Sequence, residues 1–228
     1  MEELPKINVL YEDNHIIVVE KKPGILVQAD DTNDIDLLTI IKKYLKIKYN
    51  KPGNVYLGLV HRLDRPVGGV MIFAKTSKAA SRLSESIRNG DIKKIYFAVV
   101  ENHLKNKDTW IDYLIKDSKN NIVKITTKDK GKEAILDYQV LEEKDNLSLV
   151  KINLHTGRSH QIRVQFSSHG HPLYGDQKYN KNAIPNVDIA LFAKELTIIH
   201  PITKEKMTFT LELPNKKPFN LFRNHYSS

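Results

Sequence analysis

Residues Leu59 to Thr76 read LVHRLDRPVGGVMIFAKT and set one carboxylate, Asp64, close to His61 and Arg62, with two glycines and an apolar run after it. A carboxylate at a strand edge can act as nucleophile or base when a nearby cation keeps it ionised. A later segment, HTGRSHQIR from His155 to Arg163, carries such a cation and could bring it to the acid across the fold. Taken alone, Asp64 fits equally well a loop acid that pairs with Arg62 or Arg65 or caps a helix. Gly68 and Gly69 favour the catalytic reading, because they let a backbone or a ligand come close just past the acid.

Further residues invite chemical roles. Arg163 falls on a predicted helix over Ser159 to His169, ended by Gly170, with Ile162 and Phe166 marking the buried face and Arg163 at its margin. Arg158, just before that helix, is placed to meet a phosphate, and Thr156, Gly157 and Ser159 would offer backbone N–H groups as a modest anion site. His160 is expected to hydrogen-bond within the same turn. Tyr96 follows Lys93 and Lys94 in KKIYFA, and reads either as a core cross-strand residue or as a ring that stacks on an unstacked base, with the lysines near the backbone. His61 with Asp64, or His169 with His171, could suggest a metal. No third ligand stands at a recognisable spacing and neither H-E-x-x-H nor a Cys/His set occurs, so no metal site is expected.

The elements that must position these groups follow from hydrophobic period and turn chemistry. Ile7–Leu10 and Ile16–Val19 read as a hairpin, closed by the turn residues Lys21-Lys22-Pro23-Gly24. Asp36–Lys48 reads as an amphipathic helix whose other face carries Lys42, Lys43 and Lys46. Strands over Tyr56–Val60 and Val70–Ala74 flank the Asp64 loop, and Ser77–Arg88 reads as a helix stopped by Gly90. Further strands are expected at Ile95–Val100, Ile122–Thr126, Ala134–Leu141, Leu147–Leu154, Leu196–Ile199 and Met207–Leu213. That order predicts an α+β fold, a mixed and mainly antiparallel sheet with flanking helices. No repeat or linker divides the 228 residues, so a single catalytic domain is expected.

Composition narrows the chemistry. The chain has no cysteine, which excludes disulfides, thiolate metal sites and a cysteine nucleophile. No signal-peptide pattern opens it and no apolar stretch reaches membrane-spanning length, so no membrane association is expected and the cytoplasm is the default location. Thirty-six Lys and Arg against 27 Asp and Glu give a formal charge of +9, which favours a polyanionic partner such as nucleic acid.

Taken in order, NHIIVVEKKPGILV, LVHRLDRPVGGVMIFAKT, KKIYFAVV, HTGRSHQIRV and GHPLYGDQKY resemble the motifs of the RluA-type RNA pseudouridine synthases, and the resemblance covers nearly the whole chain. It implies the pseudouridine synthase fold and isomerisation of uridine to pseudouridine in a folded RNA, ribosomal or transfer, without metal or organic cofactor. Position by position, Asp64 matches the catalytic aspartate, Tyr96 the active-site tyrosine and Arg163 the arginine that pairs with the aspartate. Candidates for RNA contact are His61, Arg62, Arg158, His160, Lys93 and Lys94, with Lys42, Lys43 and Lys46 on the first helix.

The chain departs from the family pattern in three places. Val67-Gly68-Gly69 replaces Thr-Ser-Gly, Leu191-Phe192-Ala193 replaces Leu-His-Ala, and Lys21-Lys22-Pro23-Gly24 shifts the usual proline by one. The chain starts almost at the catalytic domain, so no N-terminal RNA-binding module is expected and a monomer is the default. The competing expectation is a catalytically inactive RNA-binding or ribosome-assembly protein with the same fold, which the altered glycine segment and Phe192 would suit.

Overall fold

A computed structural model describes residues 5–222 apart from 31 and 33. The first half runs β1 (Asn8–Glu12), β2 (Ile16–Lys21), α1 (Leu37–Lys48), β3 (Gly58–Leu59), β4 (Gly68–Ala74), α2 (Ser77–Asn89) and β5 (Lys93–Glu101). There follow β6 (Lys107–Asp117), β7 (Ile122–Thr126), β8 (Lys132–Lys144), β9 (Leu147–Leu154), α3 (Gln161–Ser168), β10 (Leu191–Ile199) and β11 (Lys206–Thr210). As expected, the fold is α+β, a mixed and mainly antiparallel sheet with three α-helices among the described residues. The chain forms two compact units, Met1–Ile92 with Glu195–Leu211, and Lys93–Lys194 with Glu212–Ser228.

In the first unit, β2 pairs antiparallel with β1 on one side and β4 on the other, and β3 adds two residues along β4. Ile16 and Val18 of β2 and Val70 and Ile72 of β4 point to one face, where they meet Leu196, Ile198, Phe209 and the α2 residues Ala79 and Leu83. This is period-2 burial against a helix, the arrangement that makes a half-covered sheet stable. Helix α2 begins where the Thr76 hydroxyl accepts from Ala79 N–H and ends at Gly90. Helix α1 is capped by Asp36 and buries Leu37, Ile41 and Leu45. Its C-terminal end is held to β1 through Glu12, which accepts from Lys48 Nζ and Lys75 Nζ at 2.6 Å and from Tyr49 Oη at 2.7 Å. Burial alone would raise the Glu12 carboxyl, but these three donors overcome it and lower its pKa to about 2.

The second unit is a five-stranded antiparallel ladder in the order β5-β9-β8-β6-β7. Phe166 of α3 packs on it, its ring 4.7 Å from Trp110 and 5.6 Å from Tyr138. Leu114, Val123, Ala134 and Val164 extend the contact toward β7. Strand β6 is absent from the sequence expectation because its apolar residues come in adjacent pairs, Trp110-Ile111 and Leu114-Ile115, rather than alternating. One of each pair faces outward, leaving Ile111 59% and Ile115 44% exposed. The Tyr56–Val60 strand shrinks to Gly58–Leu59, whereas β10 starts at Leu191 and takes in the Leu191-Phe192-Ala193 departure. Phe192 is buried there as a core residue.

The single tryptophan, Trp110, lies between Phe166, Tyr138 and the stacked imidazole of His169. Phe166→Ala is expected to cost about 3–5 kcal/mol in denaturant unfolding. It should also shift Trp110 fluorescence to longer wavelength as water reaches the indole.

Candidate active site

The loop from Val60 to Val67 carries His61, Arg62 and Asp64, and a buried lysine that sequence reasoning passed over holds its backbone. Lys21, at the end of β2, is fully buried. Its ammonium donates to the carbonyl oxygens of Val67 at 2.7 Å, Arg65 at 3.0 Å and Asp64 at 3.3 Å, and to that of Lys22 at 3.3 Å. An ammonium has three donors and no acceptor, so it satisfies carbonyls that a tight turn cannot pair internally. The turn is also closed by Val67 N–H donating to Asp64 O, and joined to the β2 end by Gly24 N–H donating to Arg65 O. Burial pushes the Lys21 pKa down to about 8, against the charge of Asp64, which raises it, and with that of Arg65, which lowers it.

Other loop side chains are placed by the same unit. Ile72 N–H donates to His61 Nε2 at 3.1 Å, so that nitrogen is unprotonated and the ring ties the loop to β4. Arg65 reaches away from the loop to Asp34 at 2.6 Å and to the Gly24 carbonyl. Arg62 is exposed and Asp64 is half-buried.

In the second unit, α3 presents Arg163. The expectation of a helix from Ser159 with Arg163 at the margin of its apolar face is corrected on both points. The left-handed backbone of His160, φ 52°, delays the helix to Gln161, and every residue from Gln161 to Phe166 is buried. Arg163 Nε and Nη2 donate to the two oxygens of Asp176 at 2.9 and 2.7 Å, and the Asp176 side chain has no exposure. The same carboxylate accepts from the N–H groups of Lys178 and Tyr179. Gly175 makes that turn possible: its φ is +73° and a Cβ there would run into the Asp188 carbonyl oxygen. The Tyr179 ring lies 5.2 Å from the guanidinium carbon, and its hydroxyl bonds His160 Nδ1 at 2.6 Å. His160 therefore bonds across to Tyr179, outside the turn expected for it.

Of the N–H groups expected to bind an anion before α3, that of Thr156 has an internal partner, and so does that of the neighbouring Arg158. Thr156 N–H donates to Ile135 O, and Arg158 N–H donates to Gln161 Oε1, which also accepts from the Thr156 hydroxyl. Gln161 thus reaches back to do the capping that His160 does not. Arg158 Nε is anchored on Glu133 O, which leaves an exposed guanidinium beside β8. Lys93 is exposed, whereas Lys94 is half-buried with its pKa lowered by burial. Its ammonium packs against Gly157 at 3.5 Å from where a Cβ would stand. Tyr96 is buried on β5, opposite Ile152 of β9, which is also where a core tyrosine would sit.

Residues 15–168 match the family model described as RNA pseudouridylate synthase. The chain belongs to that family. It is 34% identical over 211 residues to the dual-specificity RNA pseudouridine synthase RluA of Haemophilus influenzae, covering 90% of this chain and 92% of the relative. It is 33% identical to the ribosomal large subunit pseudouridine synthase D of Pseudomonas aeruginosa, over 92% of this chain and 69% of that one. A human RNA pseudouridylate synthase domain containing 4 shares the fold at a TM-score of 0.77 and 20% identity, over 91% of this chain and 88% of that one. The protein is thus an isomerase of the pseudouridine synthase class, acting on RNA.

Two departures from the synthase pattern prove to be one. A Cβ on Gly68 would stand 2.9 Å from Pro23 Cδ and 3.2 Å from Lys21 O, so the shifted proline occupies the space that a serine at position 68 needs. Pro23 and Gly68 fit each other as a pair. Gly68→Ser is therefore expected to destabilise the protein by about 1–3 kcal/mol, and Pro23→Ala to recover much of that loss. A double-mutant cycle by chemical denaturation reads the coupling.

Lys21→Met removes the ammonium that the loop carbonyls need, and should lower pseudouridine formation by roughly 10- to 100-fold with RNA affinity retained. In the unaltered protein the pH effects have opposite signs. A lysine whose folded pKa is depressed binds fewer protons folded than unfolded between about 8 and 10.5, so this group's contribution to stability rises with pH across that window. Turnover instead should fall as pH passes about 8 and the ammonium is lost. Paired thermal-unfolding and turnover profiles check both signs.

Proposed function

We propose that the protein converts uridine to pseudouridine in ribosomal or transfer RNA with Asp64 as the catalytic carboxylate, Arg163 as its cationic partner and Tyr96 against the target base. The observation that supports this most is the match to the synthase family across residues 15–168, a span that contains all three. The lysine-anchored backbone at Asp64 adds physical support, because a carboxylate that must meet one sugar atom gains from a loop that does not move.

The reaction needs the target nucleotide out of its stack, at a cost of a few kcal/mol. Asp64 acts on the ribose or the base, the C1′–N1 bond breaks, uracil turns so that C5 faces C1′, a C–C bond forms and the C5 proton leaves. In this reading Arg163 supplies the fixed positive charge that partners the Asp64 carboxylate. Asp176 grips the guanidinium by Nε and Nη2, and a guanidinium has five N–H donors, so this grip orients it while its remaining donors serve other acceptors. His61, Arg62, Arg158, His160, Lys93 and Lys94 contribute RNA contacts, of which Arg62, Lys93 and Arg158 are the exposed ones. No helix among the described residues is long and apolar enough to cross a membrane. The proposed setting is the cytoplasm, with a single-domain monomer that uses no cofactor.

Asp64→Asn is expected to abolish pseudouridine formation, measured by mass spectrometry of digested RNA, while RNA affinity persists. Wild-type turnover in that variant would remove Asp64 from the mechanism.

A further inference from the structure

A cleft of about 720 Å³ lies between β7, the C-terminal half of α3 and the segment 177–183. Neither the proposed catalytic residues nor the RNA-contact candidates line it. Its lining mixes apolar Ile122, Ile125 and Ala183 with serine and amide side chains, and its charged groups are Lys124, Lys178 and Lys181, with no carboxylate among the lining residues. Another cleft in this unit carries Lys107 and Lys151 with Asp108 and Asp137, and so is balanced in charge. A cleft with cations alone selects an anionic occupant.

The walls are fastened. Lys178 Nζ donates to Asn121 O at 2.9 Å, Val123 N–H to the Tyr179 hydroxyl at 3.0 Å, and Ser167 Oγ to Tyr179 O at 2.7 Å. The backbone of Lys178 and Tyr179 hangs on Asp176, the carboxylate that grips Arg163. A ligand therefore meets a preformed shape, and the wall it meets shares one anchor with the arginine.

We propose that this cleft binds an unpaired RNA segment outside the nucleotide being modified, with Lys124 and Lys181 on phosphates and the Ile122–Ile125 edge under base faces. The proposal rests on the RNA substrate of the synthase reading. Single strands fit because they expose base faces to apolar side chains as well as phosphates to lysines, whereas a duplex hides those faces in its stack. Lys124, Ile125 and Lys181 are all exposed and so accessible to such a strand.

The test uses the full chain, a fluorescein-labelled 12-nucleotide oligouridylate, a 12-base-pair RNA duplex and a 12-residue oligoglutamate peptide, with affinity read by anisotropy at several salt concentrations. Lys124→Glu combined with Lys181→Glu is expected to weaken oligouridylate binding about tenfold or more, and to reduce the salt slope by about 1.4, two single-strand phosphates' worth. Duplex affinity should change less. Lys124→Ala with Lys181→Ala removes the same two phosphate contacts without adding negative charge, so it should reduce the slope by about 1.4 as well while weakening affinity by less, which separates lost contacts from misfolding. Maximal pseudouridine formation at saturating cellular RNA should remain, with loss only at limiting RNA. Unchanged oligouridylate affinity and slope would overturn the proposal, as would an equal loss on the duplex or tighter binding of oligoglutamate at the cleft. Loss of oligouridylate affinity upholds the cleft whether or not the unaltered protein makes pseudouridine, so the cleft and the synthase reading can fail separately.

Discussion

The buried pair of Arg163 and Asp176 fixes the second unit where α3 meets the turn that follows Gly175. Taking both charges out of water costs several kcal/mol per ion, which a single point contact does not recover. Asp176 recovers it through four donors, two from the guanidinium and two from the backbone of the following turn. The consequence is geometric as much as energetic. A side-on carboxylate grip fixes the plane of the guanidinium, and the Tyr179 ring at 5.2 Å limits its remaining freedom. The role proposed for Arg163, as partner of a catalytic carboxylate, would benefit from that preset orientation. The helix carrying it is accordingly buried nearly all round, with Gln161 and Gln165 bonded to each other and to the carbonyls of Ile135 and Ala134.

The first unit solves the mirror problem with the charges exchanged. There a buried cation, Lys21, is surrounded by carbonyl oxygens and fixes the backbone on which Asp64 stands. The carbonyls of a tight turn point outward and would be stranded if buried without donors. One ammonium serves several of them, and the desolvation it suffers shows in its depressed pKa. The adjoining β2–β4 seam is equally close, since Pro23 packs where a side chain at position 68 would be. The altered glycine segment therefore records a packing exchange with the shifted proline. It does not by itself indicate lost activity, and so it gives the inactive-protein reading no support.

Much of this was legible in the residues and some was not, for identifiable reasons. Helices α1 and α2 were readable because their caps, Asp36 and Thr76, and their apolar faces agree, and β7 and β9 match their apolar runs to the residue. Strand β6 was hidden by paired apolar residues, one of each pair left in water. Helix α3 was overextended because Ser159 resembles a cap, whereas a left-handed His160 is a tertiary outcome. Lys21 and Asp176 were missed for a related reason. A lysine in KKPG reads as turn surface and an aspartate in GDQKY as a loop acid, and only the partners that converge on each reveal a buried charge. The available signal was context: Lys21 closes the strand that opens with the apolar run Ile16–Val19, and Asp176 follows a glycine directly after Leu173 and Tyr174.

The same accounting alters what a charge of +9 means for RNA affinity. Lys21 is bound to carbonyls, Lys48 and Lys75 to Glu12, Arg65 to Asp34 and Arg163 to Asp176. A cation already paired in this way must give up a partner before it can neutralise a phosphate, so it adds little to counterion release. In the proposed reading the effective footprint comes instead from exposed cations, among them Arg62, Lys93, Lys124, Arg158 and Lys181. Lys124 and Lys181 stand at one cleft of the second unit, where an irregular single strand would meet them more readily than a straight duplex. A fold that commits its buried charges to two rigid anchors leaves RNA recognition, in the proposed reading, to cations that stand in water. Substrate choice can then change by substitution at these positions without disturbing either anchor.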